Sequence, residues 1–308
     1  FTTNSKLNDF ITTYKNNETN FSNISSVKIN LPQDWSKLEE LILKEKPDVV
    51  LNSIAYSNSD FCETNREETY TLHVKISEKI TTLCSKINSK IVFLSTEYVF
   101  DGKKGNYTEN DETNPINYYG HSKDLAEKIT LKNENNLVLR TAMVYGLSSK
   151  VRFLRYVIEN LGKNQEINAY DDIFNSATLL DDLTNGISKA IEFDANGIYH
   201  MAGSSCVSRF DFAKTVAKVS TFLANSVVIF TAGRALPAAQ PHTEFTITKT
   251  VPSFLSNSSD TDSGVRKAIN PTEVKSSRIG AHISSGYIIV IFWQKYAYLP
   301  FTFKKIGQ

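Results

Sequence analysis

The chain has 308 residues, 41% of them hydrophobic and 22% charged, and a formal net charge of +1. That length supports a substantial core, and so balanced a charge gives no electrostatic reason to expect nucleic acid or an anionic membrane as partner. Three widely spaced cysteines (Cys62, Cys84, Cys206) make neither a disulfide framework nor a zinc site, and they fit reduced cytoplasmic thiols.

In chain order, "FTTNSK" (Phe1 to Lys6) reads as the end of a strand, and a helix is predicted over roughly Trp35 to Lys46. "PDVVLNS" (Pro47 to Ser53) and "SKIVFLST" (Ser89 to Thr96) are continuous apolar runs, as expected of parallel strands covered on both faces. Between them Leu72, Ile76, Ile80, Leu83 and Ile87 recur at spacings of three and four, one face of an amphipathic helix from about Thr64 to Ile87. A helix from near Tyr119 to Lys132 leads to a third strand, "NLVLRTAMVYG" (Asn136 to Gly146). Helices are predicted near Lys150 to Leu161 and Leu180 to Phe193, then a strand over Gly197 to Gly203 and a helix from Ser208. This alternation predicts a doubly wound, mostly parallel α/β sheet. After Ser220 acidic residues become scarce (Glu244, Asp260, Asp262, Glu273), helical periodicity fades, and serine-rich stretches such as "SFLSNSSDTDSG" appear. The longest strongly apolar run, "YIIVIFW" (Tyr287 to Trp293), is too short to cross a bilayer.

The chemistry concentrates in "YYGHSK" (Tyr118 to Lys123). Tyr119 and Lys123 are four apart and share one face of a helix, with Tyr118 turned about 100° away. An ammonium beside a phenol favours the phenolate and brings it toward useful acid/base range. Upstream, Ser95 and Thr96 end a predicted parallel strand, the rim where open α/β sheets place ligands. A hydroxyl there can orient a substrate carbonyl, a phenol can protonate it, and an ammonium can tune the phenol.

With these residues in view, the chain resembles the extended short-chain dehydrogenase/reductases, and within them the dTDP-4-dehydrorhamnose reductase family. The resemblance rests on "PDVVLNSIAYSNSDFCE", "LSTEYVFDGKKGNYTENDETNPINYYGHSK", "LRTAMVYG" and "GIYHMAG" followed by "SRFDFA", in collinear order over about residues 25 to 219. It implies a Rossmann-like dinucleotide-binding domain over residues 1–146. A mixed segment over 147–219 would contribute to the sheet and to a smaller substrate-binding subdomain, leaving an atypical region over 220–308.

Thr96, Tyr119 and Lys123 resemble the catalytic trio, with Tyr119 protonating the C4 keto oxygen of a nucleotide sugar as NADPH delivers hydride. Cofactor contacts are implied for Asn30, Leu31, Asn52, Ser53, Ile54, Ala55, Tyr119 and Lys123, and substrate contacts for Ser95, Tyr118 and Met143. Ser5 and Lys6, with no acid beside them, lean toward NADP, with NADH as the alternative. Met143 stands where rhamnose-forming relatives often carry Trp, which leaves the sugar open. Glu97 replaces the common Asp of "STDYVF", and His73, where relatives usually show Asn, is assigned no role.

The family's glycine-rich phosphate turn does not occur, and the first glycine is Gly102. The expectation is a further ~30 residues upstream that supply the first strand, the glycine turn and the first helix. Without them the sheet would keep an unpaired central seam, and dinucleotide binding would be weak or absent. Other functions compatible with the pattern are a non-catalytic subunit like the one that accompanies methionine adenosyltransferase, and an NAD-dependent epimerase or dehydratase. No metal site is expected, a cytoplasmic location is, and a homodimer stays open.

Overall fold

The computed structural model describes residues 9–14, 24–146, 152–163, 165–224, 230–233 and 287–291. Strand β1 (Asp9–Tyr14) is followed by β2 (Ile24–Lys28), helix α1 (Trp35–Glu45) and β3 (Val49–Asn52). Helices α2 (Ser59–Thr64), α3 (Arg66–Tyr70) and α4 (Ile76–Lys86) lead to β4 (Lys90–Thr96). Then come α5 (Tyr118–Thr130), β5 (Leu137–Thr141), β6 (Val144–Tyr145) and α6 (Arg152–Gly162). The order continues with β7 (Ile167–Tyr170), β8 (Phe174–Ser176), β9 (Thr178–Leu179), α7 (Leu180–Glu192) and β10 (Gly197–His200). Last are β11 (Cys206–Ser208), α8 (Arg209–Ala224), β12 (Phe230–Gly233) and β13 (Tyr287–Ile291).

Seven strands form one parallel sheet in the order β10-β5-β4-β3-β13-β1-β2. The side-chain alternation along its central strands explains the two covering layers. Val50, Ile91, Phe93 and Val138 pack on one face with Leu38 and Ile42 of α1, Ile80 and Leu83 of α4 and Ala126 of α5. Val49, Leu51, Val92, Leu94, Leu137 and Leu139 pack on the other with Leu183, Ile187 and Ile191 of α7. The sequence-based expectation of a doubly wound α/β sheet holds. A second cluster joins Val157 of α6, Ile167 and Ala169 of β7 and Ala213 of α8.

Two details depart from the sequence reading. The central slot expected to be unpaired is filled by β13, whose Ile288 to Ile291 pair with Val49 to Asn52 on one side and whose Tyr287 to Ile291 pair with Asp9 to Thr13 on the other. Five consecutive β-branched or aromatic residues can replace any fully covered parallel strand, wherever they lie in the chain. The strand end expected at Phe1 to Lys6 lies outside the described residues, and the first described strand is β1 (Asp9–Tyr14). The helix expected over Thr64 to Ile87 is α3, a π-helical turn over Thr71–Lys75, and α4. Leu72, Ile76, Ile80 and Leu83 are buried as the period requires. Among the described residues, no helix is long and apolar enough to cross a membrane, and no group of His, Cys, Asp or Glu is arranged to hold a metal ion.

Candidate active site

The site lies at the C-terminal end of β4. Thr96 ends that strand and caps the short 3-10 turn Glu97–Val99, accepting from the Tyr98 N–H at 3.3 Å. α5 begins at Tyr118 because Asn117 accepts from the Gly120 N–H at 2.8 Å, an amide capping the helix N-terminus. Gly120 lets this helix lie against the Tyr98 backbone, since a Cβ there would stand 2.0 Å from the Tyr98 carbonyl oxygen. That close approach sets the first turn of α5, which carries Tyr119, against the turn that Thr96 begins.

Tyr119 is half-buried, with Tyr98 edge-on to its ring at a centroid distance of 5.5 Å and His73 at 5.9 Å. Burial raises its phenol above the ordinary pKa of 10, with the Glu97 carboxylate pushing the same way. The phenol therefore carries its proton at neutral pH.

Lys123 is fully buried. The expected tuning of Tyr119 by this ammonium is not the contact seen here: Lys123 Nζ donates to the Leu94 carbonyl at 2.6 Å and sits 4.0 Å from the Phe93 ring centroid. Burial brings the Lys123 ammonium down to about 7. A four-residue spacing shares a helix face but does not dictate that the two polar tips meet, and here the strand carbonyl captures the ammonium.

Ser95 and Thr96 separate as strand neighbours must. Ser95 points toward α5, where its hydroxyl donates to Glu127, and Glu127 is in turn paired with Arg140 at 2.7 Å. The expected Ser95 contact to substrate is thus replaced by a buried structural bond, which leaves Thr96 as the hydroxyl beside Tyr119. Tyr118 is half-buried, with its N–H donating to Glu63 at 3.0 Å and the Arg66 guanidinium 5.1 Å from its ring centroid. Met143 has a backbone φ of 29° and packs with Leu154 and Phe212.

On the opposite side of the rim, Asn52 braces the loop after β3. Its side-chain oxygen accepts from the Ile54 N–H at 3.1 Å and its amide donates to Ser77 at 3.3 Å. Ile54 and Leu31 are core residues, so their backbones rather than their side chains are available to a ligand; Ala55 is half-buried. Ser53 is half-buried in the same loop. Asn30 holds a buried side-chain oxygen with no partner, an acceptor suited to the exocyclic amine of a purine.

Sequence reasoning missed His73 and Glu97. His73 is buried; its Nε2 accepts from the Tyr56 N–H at 2.7 Å. The ring proton therefore sits on Nδ1 and is donated to Ser122 at 2.8 Å, and the Ser122 hydroxyl donates to the Tyr119 carbonyl at 2.8 Å. Burial, and then the Lys123 charge, hold His73 well below its usual pKa, so it stays neutral and ties the loop after β3 to the tyrosine's helix. A polar residue inside an otherwise apolar helical stripe was the signal available for it.

A parallel doubly wound sheet, with a threonine at a strand tip against a Tyr-x-x-x-Lys helix, defines the short-chain dehydrogenase/reductase class. Residues 8–273 match the RmlD substrate binding domain, and the chain belongs to that family. It is 33% identical over 178 residues to the spore coat polysaccharide biosynthesis protein SpsK of Bacillus subtilis, covering 57% of this chain and 62% of that protein. It is 32% identical over 177 residues to the dTDP-4-dehydrorhamnose reductase of Aggregatibacter actinomycetemcomitans, covering 54% and 60%. These alignments span about three fifths of either relative's length. Among solved structures, dTDP-4-dehydrorhamnose reductase from Bacillus anthracis in complex with NADP superposes with a TM-score of 0.68 at 25% identity, over 79% of this chain and 90% of that one.

Proposed function

We propose that this protein reduces the C4 keto group of a nucleotide sugar with NADPH, as in the conversion of dTDP-4-dehydro-L-rhamnose to dTDP-L-rhamnose. The observation that carries this reading is the placement of Thr96 at the tip of β4 against the first turn of α5, which holds Tyr119 with Lys123 one helical turn behind. The family and the named activities of its relatives, including the NADP complex of the Bacillus anthracis enzyme, support it. Residues 1–146 serve as the dinucleotide-binding part, with 147–219 contributing to the sugar side.

Asn30, the loop after β3 and Lys123 fit the adenine and ribose parts of a nicotinamide dinucleotide, and the phosphate turn falls to the segment expected upstream. Asn30 supplies the unpartnered acceptor for an adenine amine, and the loop of Ser53, Ile54 and Ala55 supplies backbone along the rim. Lys123, displaced from the Leu94 carbonyl, supplies a donor to a ribose hydroxyl. When bound, the reduced nicotinamide supplies hydride to the carbonyl carbon. Thr96 and Tyr119 donate hydrogen bonds to the carbonyl oxygen, and Tyr119 passes its proton to that oxygen as the alcohol forms. Met143 and Tyr118 would contact the sugar.

The test is NADPH oxidation by the full-length protein with dTDP-4-dehydro-L-rhamnose, with the product identified by mass and NMR. Stoichiometric formation of the 4-hydroxy sugar supports the reading. Intact NADPH binding without turnover on any 4-keto nucleotide sugar overturns it.

A further inference from the structure

Reduction of a carbonyl consumes one proton per turnover, so Tyr119 must be reprotonated after each cycle. Tyr119 lies on the first turn of α5, which packs against the turn that Thr96 begins, and the Thr96 hydroxyl donates to Glu97 Oε2 at 3.0 Å. Glu97 is buried, and its carboxylate also receives the Asn175 side-chain amide at 3.4 Å. Behind it lies a cavity of about 150 Å³ that Glu97 lines together with Arg140, Thr141, Ser176 and His200.

Those four residues each carry a buried polar atom with no partner: Arg140 Nη1, Thr141 Oγ1, Ser176 Oγ and His200 Nε2. Arg140 and Ser176 are themselves more than nine-tenths buried. The pocket is partly open and has room for water, one of which needs only ~10–15 Å³.

We propose that Glu97 is the positioning and proton-supplying residue of this site, returning a proton to Tyr119 through the Thr96 hydroxyl and refilling from the water-bearing cavity behind it. This rests on the reductase reading above. After Tyr119 gives its proton to the alkoxide, the Glu97 carboxyl gives its proton to Thr96 Oγ1 as the Thr96 hydroxyl proton moves to the tyrosine oxygen. A cavity water, fed from solvent past His200, then reprotonates Glu97. One proton enters and one leaves in the product, and no electrons move along the chain.

Burial raises the Glu97 carboxyl to about 7, so both of its forms are populated at neutral pH. The charged and titratable groups facing it are Tyr98 from its own turn, Tyr119 from α5, Arg140 from β5, His200 from β10 and Arg209 from α8. Arg209 lowers it through space, and the remaining effect is upward.

The test combines Glu97→Gln and Glu97→Asp variants with ¹³C NMR of glutamate-carboxyl-labelled protein. In the unaltered protein a carboxyl resonance that disappears in Glu97→Asp should titrate with a midpoint near 7, without cofactor or substrate. Glu97→Gln should lower kcat about 100-fold, with the KM for NADPH within twofold, and should remove the ionisation near 7 from the kcat–pH profile. Glu97→Asp should restore most of the rate. A Glu97 resonance titrating below pH 5, or a Glu97→Gln profile matching the unaltered one, overturns the relay while leaving the reductase reading intact. An unaltered protein that binds NADPH but reduces no 4-keto sugar removes both. If Glu97→Gln does not fold, the resonance assigned through Glu97→Asp still decides.

Discussion

Gly120→Ala isolates the contact on which the site is built. A Cβ at position 120 would lie 2.0 Å from the Tyr98 carbonyl oxygen, 2.8 Å from the Tyr98 carbonyl carbon and 3.1 Å from Pro115 Cβ. Real Cβ atoms essentially never approach closer than 3.0 Å, so α5 and the Glu97–Val99 turn must part by about 1 Å. Neither obstacle at Tyr98 is a movable side chain. Because α5 carries Tyr119 and Lys123 while the turn starts at Thr96, the separation falls directly between phenol and hydroxyl. Overpacking of this kind costs ~1–3 kcal/mol in stability. A misplacement of ~1 Å in the reacting geometry costs ~10²-fold in rate. We expect Gly120→Ala to melt several degrees lower, to keep its far-UV spectrum and NADPH binding, and to lose about two orders of magnitude in kcat. Stopped-flow NADPH oxidation and calorimetry on the same sample measure both effects. Unchanged kcat and melting temperature would refute the claim that the α5–turn contact sets the Tyr119–Thr96 geometry.

Glu127→Ala leaves the Arg140 guanidinium buried without its carboxylate and should cost ~3–5 kcal/mol, read from urea denaturation midpoints; a loss under 1 kcal/mol would contradict the buried pairing. Lys123 has its folded-state value lowered to about 7 from 10.5, so the unfolded chain binds more protons between those limits and native stability rises with pH across that window. Lys123→Met removes the dependence: its stability relative to the unaltered protein should be more favourable at pH 6 than at pH 9.5, while activity is lost, and equal differences at the two pH values would contradict the buried ammonium. Ending the chain at residue 286 removes the strand paired with both β1 and β3, and should abolish cooperative unfolding by calorimetry; an unchanged transition would show that β13 does not complete the sheet.

Much of the fold was legible because its central strands carry a local signature. "VVLN" and "IVFLST" are apolar on both faces, and only a parallel sheet covered by helices on both sides satisfies that. The helix of Tyr119 was legible in outline, expected from near Tyr119 to Lys132 and found over Tyr118–Thr130. β13 was not, because a five-residue strand takes its meaning from partners at Asp9–Thr13 and Val49–Asn52, hundreds of residues away. The placement of Thr96 at a strand end and of Tyr119 at a helix start was legible. The site was not legible at Ser95, Lys123, His73 and Glu97. For these four, the deciding fact is which buried partner captures a polar tip, and that depends on packing across elements rather than on spacing within one. Ser95 finds Glu127, Lys123 finds the Leu94 carbonyl, His73 finds the Tyr56 amide, and Glu97 finds Thr96.

The central claim, that the Tyr119 phenol delivers the proton to the reduced carbonyl, is tested most directly by single-turnover NADPH oxidation with Tyr119→Phe. This variant keeps the ring and its packing against His73 and Tyr98 while removing one oxygen. A fall of ~10²–10⁴-fold in the rate, with NADPH affinity unchanged, is the predicted result. A Tyr119→Phe rate within a few fold of the unaltered protein would contradict it.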